Sequence, residues 1–115
     1  MTPAVTVRNP GLLSLIVDLG RTGFGAVGVP SSSALDRYAC QALYCLLDCA
    51  NAPVLEVMGP RFALQFDANV VCAISGALVK AFLDNTPLRP WASFQAKKGS
   101  LLRVKEVTEG FRYYI

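Results

Sequence analysis

The chain has 115 residues, enough for one domain that buries a core without disulfide or metal staples. It is 53% hydrophobic and only 17% charged, which argues against disorder, and its net charge of +3 is too mild and too diluted by acids for a nucleic-acid binder. Histidine is absent, so no Ser-His or Cys-His nucleophile and no imidazole acid or base can be assembled within the chain.

In chain order, Thr6 to Arg8 and Leu13 to Leu19 read as strands, parted by the turn signal Asn9-Pro10-Gly11. A glycine-rich stretch follows, IVDLGRTGFGAVGVPSSSALD, spanning Ile16 to Asp36. Asp36 to Ala50 then reads as the single helix, with Leu35, Tyr38, Ala39, Ala42, Leu46 and Cys49 on its apolar face. Arg37, Gln41, Tyr44 and Asp48 fall opposite. Ser33 is the expected N-cap, and Asn51-Ala52-Pro53 the expected stop.

After the helix the period changes to two. Val54 to Met58, Phe62 to Phe66, Val70 to Ser75, Val79 to Asp84, Leu101 to Val107 and Phe111 to Ile115 are strand candidates. Turn signals at Gly59-Pro60, Asp67-Ala68-Asn69, Ser75-Gly76, Asp84-Asn85-Thr86-Pro87 and Lys98-Gly99-Ser100 separate them. Short, regularly spaced strands predict a mainly β domain, a barrel or sandwich covering residues 1–115, with one helix at about 36–50.

The longest apolar run, Val70 to Leu83, is broken by Ser75, Gly76 and Lys80 and is too short for a membrane helix. The N-terminal MTPAVTVRN has no signal-peptide pattern, so a cytoplasmic location and reduced thiols are expected. The cysteines at 40, 45, 49 and 72 match no zinc spacing, and no metal site is expected. Cys40, on the polar side of the helix, is the expected reactive thiol, with Cys45 and Cys49 packed.

Gly23-Phe24-Gly25-Ala26-Val27-Gly28 spells the dinucleotide string, but Val29-Pro30 and three serines delay the helix and no βαβ alternation follows. A nucleotide site is therefore not read. Asp18 and Arg21, flanking Gly20, form either a local ion pair that pins the loop or a guanidinium fork presented to a carboxylate or carbamate. Ser31 to Ser33 precede the helix, whose free N–H groups suit an anion or a cap. Glu56 is expected to face outward, and if buried would need Arg21, Arg61 or another cation. Trp91 is expected to pack at a strand corner near Phe94.

Several of these blocks occur together in a fixed order: NPGLL, DLGRTGFGAVGVPSSSALD, LEVMGPRFALQF and AISGA, then turns at Gly99 and Gly110. In that order the chain resembles the N-terminal part of the biotin-dependent carboxyltransferase family. That family includes allophanate hydrolase subunit 2, the KipI antagonist and the 5-oxoprolinase C subunit. The family pattern runs approximately PGLLTTVQDLGRPGYQHLGVPVSGAMD, followed by LEITLGGPTLRF and ALTGA. Asp18, Leu19, Gly20 and Arg21 match its DLGR; Gly28, Val29 and Pro30 match its GVP; Ser32, Ala34 and Asp36 match positions of VSGAMD.

The resemblance implies a cyclophilin-like β-barrel, the N-terminal portion of a longer family domain. It implies a bacterial amide-processing subunit, related to urea amidolyase, acting on a urea-like or lactam substrate. The companion would be a KipI-like or allophanate hydrolase subunit 1-like protein. Asp18, Arg21, Ser32 and Asp36 would bind substrate, with Gly20, Gly28 and Pro30 shaping the loop. No cofactor is expected on this chain itself; biotin or ATP would come through partner subunits. Val17, Thr22, Ala26 and Ser33 stand where the family has Gln, Pro, His and Gly, and these changes support the alternative of a non-catalytic interaction module. Self-association is a further option.

Overall fold

The computed structural model describes residues 5–17, 35–49 and 52–115. Asp18, Gly20, Arg21, Gly28, Pro30, Ser32 and the expected cap Ser33 lie outside the described residues. The elements run β1 (Val5–Pro10), β2 (Leu13–Val17), α1 (Arg37–Leu47), β3 (Val54–Met58), β4 (Phe62–Phe66), β5 (Val70–Ala73), β6 (Ser75–Leu83), β7 (Thr86–Pro87), β8 (Ser93–Ala96) and β9 (Leu101–Tyr114). The expectation of a mainly β barrel or sandwich with one helix holds among the described residues, as a barrel.

The long strand β9 organises the main sheet. On one edge its first residues pair with β4 (Phe62 opposite Val104) and its last with β3 (Met58 opposite Arg112). On the other edge it pairs with β6 from Leu83–Leu102 to Ser75–Tyr114. β1 and β2 continue the sheet outward against β4 and β3 respectively. Among the described residues this makes a seven-stranded antiparallel sheet, curled into a nearly closed barrel, with β5 and β8 as a separate pair.

The curl needs joints. β1 and β2 break at Gly11, and their neighbours β3 and β4 break beside it at Gly59. Gly11 has φ +67, and a Cβ there would lie 2.9 Å from the Met58 carbonyl oxygen. Only glycine permits that approach without strain.

Alternation sorts the side chains. Phe62, Leu64 and Phe66 of β4 point inward with Leu102 and Val104 of β9, forming the barrel core together with Val57 and Tyr113. A second cluster lies under the helix, joining Ala39, Cys40, Leu43 and Tyr44 to Val54, Ala73 and Tyr114. Neighbouring Tyr113 and Tyr114 thus serve the two cores from opposite faces of β9.

Several local expectations are corrected. The helix is capped by Asp36, whose Oδ1 accepts from the Ala39 amide at 3.0 Å, and it ends at Asp48 in the left-handed conformation rather than running to Ala50. Its buried face is Ala39, Cys40, Leu43 and Tyr44, rotated from the expected one. Leu35 and Tyr38 are exposed, Cys40 is buried, and Cys45 and Cys49 are exposed. Tyr44 buries because its hydroxyl reaches the Ala52 carbonyl, satisfying its polar end. Gly110 does not end a strand but sits inside β9, and Ser75-Gly76 opens β6 instead of forming a turn. The turn at Asp84-Asn85 is shorter than expected, with Thr86 and Pro87 already paired to β6.

Candidate functional site

Glu56 is buried, not outward-facing. It shares a face of β3 with Val54, and α1 covers that face. Its Oε2 accepts from the Tyr114 hydroxyl at 2.7 Å and from the Leu35 amide at 2.8 Å. Its Oε1 lies 3.7 Å from Arg112 Nε. The cation required by burial is therefore Arg112, not Arg61. The Tyr114 hydroxyl also accepts from the Asp36 amide at 2.9 Å. One carboxylate and one phenol thus fix the backbone that enters the helix.

Burial raises the Tyr114 phenol above its usual value, and the facing Glu56 carboxylate raises it further. The phenol therefore stays protonated and remains the donor to Glu56.

Beside this anchor a cleft of about 620 Å³ opens between the helix entrance, the start of β6 and the end of β9. Leu35, Asp36, Trp91, Glu109, Phe111 and Arg112 line it. Gly76 forms part of its floor with φ +91, and a Cβ there would sit 2.6 Å from the Arg112 carbonyl oxygen. The glycine lets β6 and β9 approach closely under the cleft.

Trp91 stands at the wall in the left-handed conformation, φ 54. Its Nε1 donates to the Gly76 carbonyl at 3.1 Å, and its ring meets Tyr38 at a centroid distance of 6.2 Å. The expected partner Phe94 instead packs edge-on against Phe66, at 6.4 Å. The Arg112 side chain is 31% exposed, so part of it packs in the protein and part meets solvent. A cation held from behind and an indole wall suit a flat polar group such as a carboxylate or amide carbonyl.

Of the expected site residues, Asp36 is the described one, and it lies in this cleft. Asp36 spends one carboxylate oxygen on the helix cap. Sequence reasoning does not single out Arg112, Trp91 and Glu109 as site residues. The available signal is an arginine inside an aromatic strand, FRYY. Among the described residues no group of three or more His, Cys, Asp or Glu is placed to hold a metal, and no helix is long and apolar enough to cross a membrane.

Residues 27–115 match the model of the carboxyltransferase domain, subdomain A and B. The chain belongs to the carboxyltransferase domain family. It is 31% identical over 101 residues to the 5-oxoprolinase C subunit of Haemophilus influenzae, covering 87% of this chain and 33% of that protein. Among solved structures, TTHA0988 superposes with a TM-score of 0.88 at 31% identity, covering 97% of this chain and 43% of that one. The urea amidolyase of Kluyveromyces lactis superposes equally well, TM-score 0.88 at 31% identity, over 96% of this chain and 7% of that one. The chain therefore spans about a third of the 5-oxoprolinase subunit it matches and a small part of the amidolyase. Within the family domain, the cleft and its Glu56–Tyr114 anchor fall in the matched region.

Proposed function

We propose that the chain works within an amide-processing complex of the carboxyltransferase or 5-oxoprolinase type. It acts on a urea-like or lactam substrate, together with a KipI-like or allophanate hydrolase subunit 1-like partner. Family membership and the names of the relatives support this class. The observation that carries the chemical reading is Arg112: a partly exposed guanidinium, backed by buried Glu56, opening into the cleft.

In this reading Arg112 receives the carbonyl or carboxylate oxygen of the substrate, and Trp91 flanks its flat face. Asp18, Arg21 and Ser32, which lie outside the described residues, are proposed to bind the substrate together with Asp36. Biotin or ATP, where the complex uses one, is held by partner subunits.

The test is turnover of the complex reconstituted with a subunit 1-like partner, assayed on urea and on 5-oxoproline. Arg112→Lys, which keeps a cation for Glu56 but loses the guanidinium fork, and Arg21→Ala should each lower turnover roughly 100-fold, the scale of losing one transition-state donor, while circular dichroism stays native. Undiminished turnover in both variants would sink the catalytic reading.

A second reading, a non-catalytic interaction module of the KipI-antagonist kind, is favoured by one observation. Leu13, Leu15 and Ile16 are exposed along β2, an edge strand of the sheet among the described residues. It predicts a stable complex on size-exclusion chromatography that Ile16→Asp breaks and Arg112→Lys leaves intact.

A further inference from the structure

A second cleft, of about 600 Å³, lies on the outer face of the barrel, away from the Glu56–Arg112 anchor. Arg61, Arg103 and Lys105 line it, with Asn9, Asn85 and Phe82. Arg103 and Lys105 are both exposed on β9 and flank the buried Val104, with Lys105 the extra residue where the pairing with β6 is bulged. No carboxylate lines the cleft among the described residues. Arg103 Nη2 donates to the Asp84 carbonyl at 3.2 Å, a neutral partner, and the Asp84 carboxylate is engaged by the Leu101 amide at 3.0 Å.

Arg61 is the informative member. It follows Gly59-Pro60 in the β3–β4 turn with φ 68, a left-handed conformation that suits glycine or asparagine and strains an arginine. Its amide is used, donating to the Val104 carbonyl at 2.8 Å. The residue is exposed. The turn thus bears backbone strain while presenting a cation beside two others.

We propose that this cleft binds a small phosphate ester. Three cations without a lining acid match a group carrying nearly two negative charges better than a single carboxylate. The two asparagines offer amide donors to its oxygens, and Phe82, half-buried on the floor, takes the apolar body of the ester. The site is independent of the amide-processing reading, since none of its residues line the first cleft.

The test is calorimetric titration of the full chain with phenyl phosphate, inorganic phosphate, acetate and phenol. Phenyl phosphate should bind saturably at one site, at least about fivefold tighter than inorganic phosphate. Acetate and phenol should show no saturable binding. Arg103→Gln and Lys105→Gln should each weaken phenyl phosphate at least about fivefold, the scale of one charge-assisted hydrogen bond. The control Lys97→Gln/Lys98→Gln, on the exposed turn before β9, should leave it unchanged. Arg61→Gly relieves the backbone strain, so it should weaken binding while melting no lower than the parent chain. Absence of saturable phenyl phosphate binding, or equal weakening by the Lys97/Lys98 control, overturns the proposal.

Discussion

The phenol of Tyr114 donates a 2.7 Å hydrogen bond to the buried carboxylate of Glu56. Through the same oxygen it accepts from the Asp36 amide, so the helix entrance hangs on a strand far along the chain. Tyr114→Phe removes both bonds, leaving Glu56 Oε2 with the Leu35 amide as its hydrogen-bond donor. The expected loss is about 1–3 kcal/mol, the scale of a hydrogen bond to a charged group together with a neutral one. Urea denaturation should show it as a lower midpoint at unchanged slope.

Asp36 caps α1 through its own carboxylate. Asp36→Ala should cost about 1 kcal/mol, and Asp36→Asn much less, since Asn caps equally well. Thermal melts of the two variants check the difference. A cap contribution predicts rescue by Asn, whereas a charge contribution would not be rescued.

Alkaline pH should unfold the protein early. Burial pushes the Cys72 thiol from 9.0 up to about 12, and it raises the phenols of Tyr113 and Tyr114 above their usual values. A folded-state value above the unfolded one means that the unfolded chain loses its proton first as pH rises. Stability is then full below about pH 9 and falls progressively above it. Tyr113 donates to the Gly59 carbonyl at 2.8 Å, which its phenolate cannot do. Denaturant midpoints followed from neutral to alkaline pH should trace this fall, and Tyr113→Phe should make it shallower.

The thiols should divide into pairs. Cys45 and Cys49 are exposed at α1 and its end, while Cys40 and Cys72 are buried. An aromatic disulfide reagent should titrate the exposed pair quickly in the native protein and all four only after denaturation. Rapid native labelling of Cys40 would contradict the packing under α1.

Gly76→Ala should be severely destabilising, by more than about 2 kcal/mol. It combines φ +91 with a Cβ 2.6 Å from a backbone oxygen that cannot step aside. Its melting temperature, compared with that of Gly99→Ala in an open turn, separates crowding from conformation, since nothing lies within 4 Å of a Cβ at Gly99.

The barrel is most legible in the sequence where alternation is strict. Phe62, Leu64 and Phe66 can be read as inward-facing without a structure. Patterning misleads where one residue serves two surfaces. Tyr44 counts as polar-facing because its hydroxyl is, yet its ring lies in the core. Leu35 and Tyr38 count as buried because they are apolar, yet they overhang the first cleft and its tryptophan. Gly110 reads as punctuation, but a bulged strand absorbs a glycine without ending. Glu56 can be flagged as needing a cation, but not paired with Arg112, because β3 and β9 meet only through tertiary structure. The DLGR loop is the clearest family mark; its residues lie outside those described, so the cleft beside the helix rests on side chains that local patterning does not single out.

The placement of β9 sets an order on folding. β3, β4 and β6 are all made before the strand that joins them. During synthesis their apolar faces have no common partner until residues 101–114 emerge from the ribosome, so barrel closure is a late event with long-range contacts. Until then a nascent chain exposes unpaired strand edges around Phe62 and Ala81, the feature that makes incomplete sheets prone to aggregate.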